Sequence, residues 1–193
     1  MKRIYLTGAQ ATGKSTLITH IKKTLPKIEV ISYSSILQSY LTSKFNQPIE
    51  HLKMRAESSH IITPEDIDRV DKELINIVHT KNLCNHVIVD SHAITNEWYG
   101  FRATPFSVDV LKQLNFDLLF SLYAPTDDIS QRLLDDPAGR MLGNKEEIYS
   151  SMFLQNSVAL SYGIILNKPT YFLNSSKEFD KLSIFIVSKI LDK

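Results

Sequence analysis

Gly8-Ala9-Gln10-Ala11-Thr12-Gly13-Lys14-Ser15 has the residue types and the spacing of a loop that cradles phosphate. The two glycines let the backbone turn and approach an anion with no Cβ in the way. Successive N–H groups then point inward, and the first turn of a following helix adds the positive end of its dipole. Lys14 is long enough to reach a β- or γ-phosphate, and the Ser15 hydroxyl can ligate Mg²⁺. With Thr16, the run forms the expected nucleotide-binding segment.

A second chemical signal is Asp90, which ends the apolar run His86-Val87-Ile88-Val89. An acid at that place, on a strand following the phosphate loop, can organise Mg²⁺ directly or through water. The arginines are the third signal. Of 22 basic residues only six are arginine: Arg3, Arg55, Arg69, Arg102, Arg132 and Arg140. Arginine grips phosphate bidentately, whereas lysine acts as a point charge. Arg55 and Arg102 fall in irregular segments after the second and third predicted strands, and Arg132 and Arg140 flank a Pro/Gly loop after the fourth. That placement suits a phosphoryl group moving between two phosphorylated molecules. Arg69 sits on a strongly amphipathic helix and reads as a surface residue. His92, two residues after Asp90, is the one histidine near this chemistry; the six histidines show no metal-ligand spacing.

These residues need a scaffold, and the hydrophobic pattern supplies one. Apolar runs at 3–7, 28–32, 86–90, 117–123 and 169–173 read as strands. Helical spacing follows each: from Ser15 to Leu25, Ser34 to Lys44, Thr63 to Lys81, Thr104 to Leu114, Thr126 to Leu133, Asn144 to Leu160 and Ser175 to Leu191. Thr63-Pro64-Glu65-Asp66 and Asn144-Lys145-Glu146-Glu147 carry helix-start chemistry. Residues 91–103 and 135–144 read as loops. Strands that alternate with helices imply an α/β fold with a parallel sheet, right-handed crossovers and helices on both faces. Ligands in such sheets bind beyond the carboxyl ends of the strands, where the phosphate loop, Asp90 and Asn174 all fall.

The bulk numbers narrow the partners. At 193 residues the chain is expected to be one domain. A net charge of +1 gives no general pull toward nucleic acid or an anionic membrane. The lone Cys84 excludes an internal disulfide and suits a reducing compartment. No apolar run has the length of a membrane span, and the strand begins at once, leaving no room for a leader; a cytoplasmic location is expected.

Three absences bear on the reaction. No acid follows Asp90 to activate water, as hydrolytic motors have, and Asn167-Lys168-Pro169-Thr170 lacks the Asp of a guanine-reading motif. The chain is also too short for an added motor subdomain. Transfer to a small acceptor remains. A hydroxyl acceptor needs a general base, commonly a carboxylate. Ser32-Tyr33-Ser34 at the end of the second strand offers none, which favours a phosphate acceptor, although Asp90 could itself serve as a base.

The chain resembles the archaeal-type adenylate kinases, small P-loop nucleoside monophosphate kinases. The likeness rests on the phosphate loop, Val87-Ile88-Val89-Asp90-Ser91-His92, Tyr99-Gly100, Leu114-Asn115-Phe116-Asp117-Leu118-Leu119, Arg132 and Arg140 about a short lid, and Ala159-Leu160-Ser161-Tyr162-Gly163. The resemblance implies a P-loop three-layer sandwich with a five-stranded parallel sheet of order 2-3-1-4-5. It implies ATP with Mg²⁺ on the phosphate loop, an acceptor region over residues 34–81 and a lid over 135–144. Lys14, Arg132 and Arg140 would stabilise the phosphoryl group in flight, Arg55 would hold the acceptor phosphate, and Asn174 would lie near adenine. Homo-oligomers occur in the family. The acceptor loop Gly100-Phe101-Arg102-Ala103-Thr104-Pro105-Phe106 departs from the family pattern, leaving Arg102 as an added acceptor contact. The expected reaction is ATP + AMP ⇌ 2 ADP. The alternatives are a kinase for a nucleoside or other small-molecule hydroxyl, and an ATP-gated switch that binds a partner.

Overall fold

The computed structural model describes residues 1–49, 58–135 and 143–192. In chain order the elements are β1 (Arg3–Gly8), α1 (Lys14–Thr24), β2 (Glu29–Ser32), α2 (Tyr33–Phe45), α3 (Ser58–Ile61) and α4 (Pro64–Asn82). Then come β3 (Val87–Asp90), β4 (Ile94–Glu97), β5 (Gly100–Ala103), α5 (Val108–Leu114) and β6 (Leu118–Tyr123). The chain continues through α6 (Thr126–Leu134), α7 (Lys145–Leu166), β7 (Thr170–Asn174) and α8 (Phe179–Leu191).

Five of the strands form one parallel sheet in the order β2-β3-β1-β6-β7. Numbered by their own succession in the sheet, this is the expected order 2-3-1-4-5. The register levels the strand ends: Asp90 lies opposite both Leu6 of β1 and Ser32 of β2. The phosphate loop, Asp90 and the start of α2 are thereby brought to one edge.

Alternation of side chains along the strands splits the core into two layers. Tyr5, Val87, Val89 and Leu119 face a layer of α2, α4, α5 and α7 residues, among them Leu41, Leu74, Leu111 and Ala159. Ile4, Leu6, Ile88 and Phe120 face α1 and α8, through Leu17, Ile21, Ile186 and Ile190. Each fully buried side chain of this size stabilises the fold by about 1.5–3 kcal/mol. Both predicted helix starts hold. Thr63 Oγ1 accepts from Asp66 N at 3.3 Å while Asp66 Oδ2 accepts from Thr63 N at 3.0 Å. Asn144 Oδ1 accepts from Glu147 N at 2.9 Å, with Glu147 returning the contact.

Helices α2 and α4 are pinned together by polar bonds. The Tyr33 hydroxyl donates to Asp71 at 2.8 Å, the Tyr40 hydroxyl to Asp66 at 2.9 Å, and Lys44 pairs with Asp66 at 2.7 Å. Burial pushes the Asp71 pKa up to about 6, more than the Tyr33 bond can offset.

Three sequence expectations are corrected. The segment 91–103 contains an antiparallel hairpin, β4–β5, joined by Trp98 and Tyr99. Gly100 has φ +128°, which only glycine adopts readily, and it lets β5 start directly after the turn. Helix α5 begins at Val108, not Thr104, with Ser107 as its cap: Ser107 Oγ accepts from Val110 N at 3.2 Å. Residues 104–106 are drawn out because Phe106 is buried and its N–H donates to the Tyr162 hydroxyl at 2.6 Å. Finally, α8 begins at Phe179; Ser175 is buried and occupied elsewhere, as described next.

Candidate active site

The phosphate loop joins β1 to α1, so its backbone is fixed at one end by the sheet and at the other by helix hydrogen bonds. Gly13 stands just before α1 with φ +85°, and a Cβ there would lie 2.7 Å from the Phe179 ring. Neither the dihedral nor the space admits a larger residue. The Thr12 hydroxyl donates to Ala9 O at 2.7 Å, and Lys14 Nζ donates to Gly8 O at 2.9 Å, folding the lysine back along the loop.

Arg132, on the last turn of α6, reaches the same loop from the other side. Its Nη1 donates to Ala11 O at 3.3 Å and to Ser175 Oγ at 3.2 Å, and its Nη2 donates to Ser175 O at 3.0 Å. One guanidinium thus ties the phosphate loop to the turn after β7. This use of Ser175 is why it does not cap α8.

The loop forms one wall of a cavity of about 710 Å³. Facing it are Ser32, Ser34 and Ser35 at the end of β2 and start of α2, then Asp90 and His92 after β3. Thr95 and Asn96 of β4 and Ser151 of α7 close the far side. Asp90 Oδ1 is buried without a hydrogen-bond partner among the described residues. Burial raises the Asp90 pKa, and the nearby Lys14 charge opposes that shift in part. A buried carboxylate oxygen with an unused lone pair, beside a phosphate loop, has the chemistry of a cation ligand.

Behind the cavity, Gln155 of α7 holds the connection from β3 to the hairpin. Its Oε1 accepts from Ala93 N at 3.0 Å and from Ile94 N at 3.2 Å. Its Nε2, the Tyr5 hydroxyl and Thr7 Oγ1 form one buried polar group in which, among the described residues, none of the three has a partner at full hydrogen-bond geometry. The sheet fixes Asp90, and Gln155 sets the position of the segment after it, which carries His92 into the cavity.

The sequence-predicted residues distribute as follows. Gly8 to Thr16, Asp90, His92 and Arg132 meet at the one cavity. Arg102 of β5 stands opposite Thr95 in the hairpin register and faces Glu97, with Nε 3.4 Å from its carboxylate. Asn174 ends β7, and its Oδ1 accepts from Ser176 N at 2.9 Å, closing the turn. Arg55, Arg140 and most of the lid segment 135–144 lie outside the described residues. Sequence reasoning missed Thr95, Asn96, Ser151, Gln155 and Ser175. Only Gln155 carried a signal: Ile148, Met152, Gln155, Ala159 and Tyr162 form the buried stripe of α7, and a glutamine in such a stripe is out of place unless it is bonded.

Known proteins agree with this architecture. A sequence profile described as AAA domain matches residues 7–149. An adenylate kinase of Pyrobaculum aerophilum is 25% identical over 148 residues, covering 76% of this chain and 71% of that protein. Among solved structures, the tunicamycin resistance protein of Deinococcus radiodurans superposes with a TM-score of 0.59 at 13% identity, over 100% of this chain and 96% of that one. The shikimate kinase of Acinetobacter baumannii superposes with a TM-score of 0.57 at 14% identity, over 99% and 93%. At these identities the structural likeness speaks for the fold. Among the described residues, no helix is long and apolar enough to cross a membrane.

Proposed function

This chain belongs to the AAA domain family and is a P-loop kinase, and from that premise we propose that it transfers the γ-phosphoryl group of ATP to a nucleoside monophosphate, with AMP as acceptor. The observation that carries the proposal is that one cavity has the phosphate loop on one wall and residues of β2, β3 and β4 on the other. It has room for donor and acceptor side by side, and the similar Pyrobaculum protein is an adenylate kinase.

In this reading the donor phosphates lie on the N–H groups of Gly8 to Thr16, and adenine lies toward Asn174. Lys14 and Arg132 neutralise the charge that spreads over the transferring group, joined by Arg140. An acceptor phosphate oxygen attacks the γ-phosphorus, the bond to the β–γ bridging oxygen breaks, and ADP leaves. Arg55, Arg102 and His92 hold the acceptor. The Ser15 hydroxyl and Asp90 carboxylate are the residues that fit Mg²⁺, which when bound would offset phosphate charge and align the β- and γ-phosphates. The protein acts on small-molecule nucleotides, and its location would be cytoplasmic.

A second reading has one observation in its favour. The described acceptor wall is neutral and hydroxyl-rich, and Asp90 sits in it with a raised pKa and an unbonded oxygen. That suits a general base acting on a small-molecule hydroxyl. A phosphotransfer assay with ATP and Mg²⁺ separates the two. The acceptors are AMP, CMP, UMP, GMP, dAMP, nucleosides and shikimate, with a no-acceptor control and Lys14→Ala as the inactive reference. Turnover with AMP supports the proposal. Faster turnover with a nucleoside or shikimate replaces it with the hydroxyl reading. Slow ATP hydrolysis in every tube rejects both and favours an ATP-gated switch.

A further inference from the structure

Helix α7 turns one face to the core and leaves the other uncovered. Tyr149, Phe153, Leu160 and Ile164 are exposed to 61%, 59%, 49% and 72%. At about 100° per residue they fall within roughly 60° of one another, so they form a single stripe. Between Ile148 and Asn167 the helix carries no charged residue. The two serines beside the stripe add no unmet polarity. The Ser157 hydroxyl donates to Phe153 O at 2.8 Å and the Ser161 hydroxyl to Ser157 O at 2.9 Å, both within the helix.

The spacing of the stripe says what covers it. In an antiparallel helix pair, residues opposite one another have numbers with a constant sum. Tyr149 with Ile164 and Phe153 with Leu160 share one sum, centred between Asn156 and Ser157. The stripe is therefore its own complement under a two-fold axis, as an isologous interface requires. Each aromatic ring meets an aliphatic chain, and the small Ser157 falls at the crossing point, where two helix backbones come nearest. The same sum sets Glu146 against Asn167 and Lys145 against Lys168, so the pairing rests on the apolar stripe and not on charge. With side-chain areas of roughly 150–250 Å², the exposed fractions give on the order of 800 Å² of apolar surface for the pair. At an apolar share of about 65%, that corresponds to a total near 1,200 Å², which reaches the range of stable interfaces.

We propose that the protein forms a two-fold dimer in which α7 packs antiparallel against α7 of a second copy, with Phe153 against Leu160 near the axis. The stripe lies on the side of α7 away from Gln155, so the dimer leaves the proposed reaction untouched. Its failure and the failure of the kinase reading are separate results.

The test uses the full chain. Light scattering behind size exclusion, at roughly micromolar concentration, is expected to give twice the monomer mass. Phe153→Glu is expected to give the monomer mass with unchanged circular dichroism. Should Phe153→Glu fail to fold, Ser157→Cys in a Cys84→Ser background decides: under mild oxidation it is expected to yield a disulfide-linked dimer. A monomeric wild type, a dimer indifferent to Phe153→Glu, or no cross-link through Ser157→Cys overturns the proposal.

Discussion

Replacing Gln155 with Met tests whether one buried amide positions the acceptor side of the cavity. Methionine matches the volume and keeps the stripe of α7 filled, so packing changes little. What disappears is the acceptor for Ala93 N and Ile94 N, now bonded at 3.0 and 3.2 Å. Leaving both buried donors unmet costs about 1–3 kcal/mol each. Removing Nε2, which is buried and has no well-formed partner among the described residues, returns about 1 kcal/mol of that cost. The net loss is about 3 kcal/mol. At about 2–4 °C per kcal/mol for a chain of this size, Tm falls by roughly 6–12 °C. The released segment carries His92, next to Asp90, and a shift of about 1 Å there lowers kcat by about 100-fold. Thermal unfolding followed by circular dichroism and steady-state phosphotransfer, run on the same preparations, read the two effects. A Tm within about 2 °C of wild type together with unchanged kcat would refute the assigned role of Gln155.

Three further outcomes are expected. Asp71 is held up to about 6 by burial, so the folded state binds a proton more tightly than the unfolded chain. Its contribution to stability is present below about pH 4 and is lost as pH rises toward 6. Asp71→Asn, which keeps an acceptor for Tyr33, should raise urea stability at pH 7 by up to about 3 kcal/mol, with no gain at pH 3.5; a loss at pH 7 counts against burial as the cause. Arg132→Lys keeps the charge but loses the forked contacts to Ala11 and Ser175, and kcat in the phosphotransfer assay should drop by about 10²-fold. Wild-type turnover would remove Arg132 from the site. Asp90→Asn should weaken Mg²⁺ dependence and raise the Mg²⁺ concentration at half-maximal rate by at least about tenfold; an unchanged Mg²⁺ titration would leave Asp90 outside the metal site.

The parts of this fold that were legible in the sequence are those decided by local chemistry. The phosphate loop is a contiguous spacing of glycines, lysine and serine. The caps of α4 and α7 lie within four residues of chain. The strands of a doubly covered sheet are continuous apolar runs. The misread parts were decided by distant partners. Thr104-Pro105 has the form of a helix start, yet the Tyr162 hydroxyl holds the next residue, Phe106, in the core and the cap moves to Ser107. Ser175 has the form of a cap as well, yet Arg132 claims it from 43 positions away. The β4–β5 hairpin was hidden because its short strands mix Asn, Glu and Arg with few apolar residues, and it pairs only with itself. The cavity wall suffered the same way: Thr95, Asn96 and Ser151 are unremarkable residues that become site residues through topology alone.

The bridge made by Arg132 has a consequence for how the protein is made. The phosphate loop is synthesised well before its anchors, because Arg132 lies 121 positions after Ala11 and Ser175 later still. Its strand is flanked by β3 and β6, so the central β1 gains its first neighbour once residue 90 has been synthesised and its second only after residue 123. At about 5–20 residues per second, some 10–30 s separate the appearance of the loop from the arrival of its last anchor. Until residue 123 has been synthesised at least one edge of this apolar central strand is open, and an open apolar edge is prone to non-native pairing. The binding loop is thus made well before the contacts that complete it.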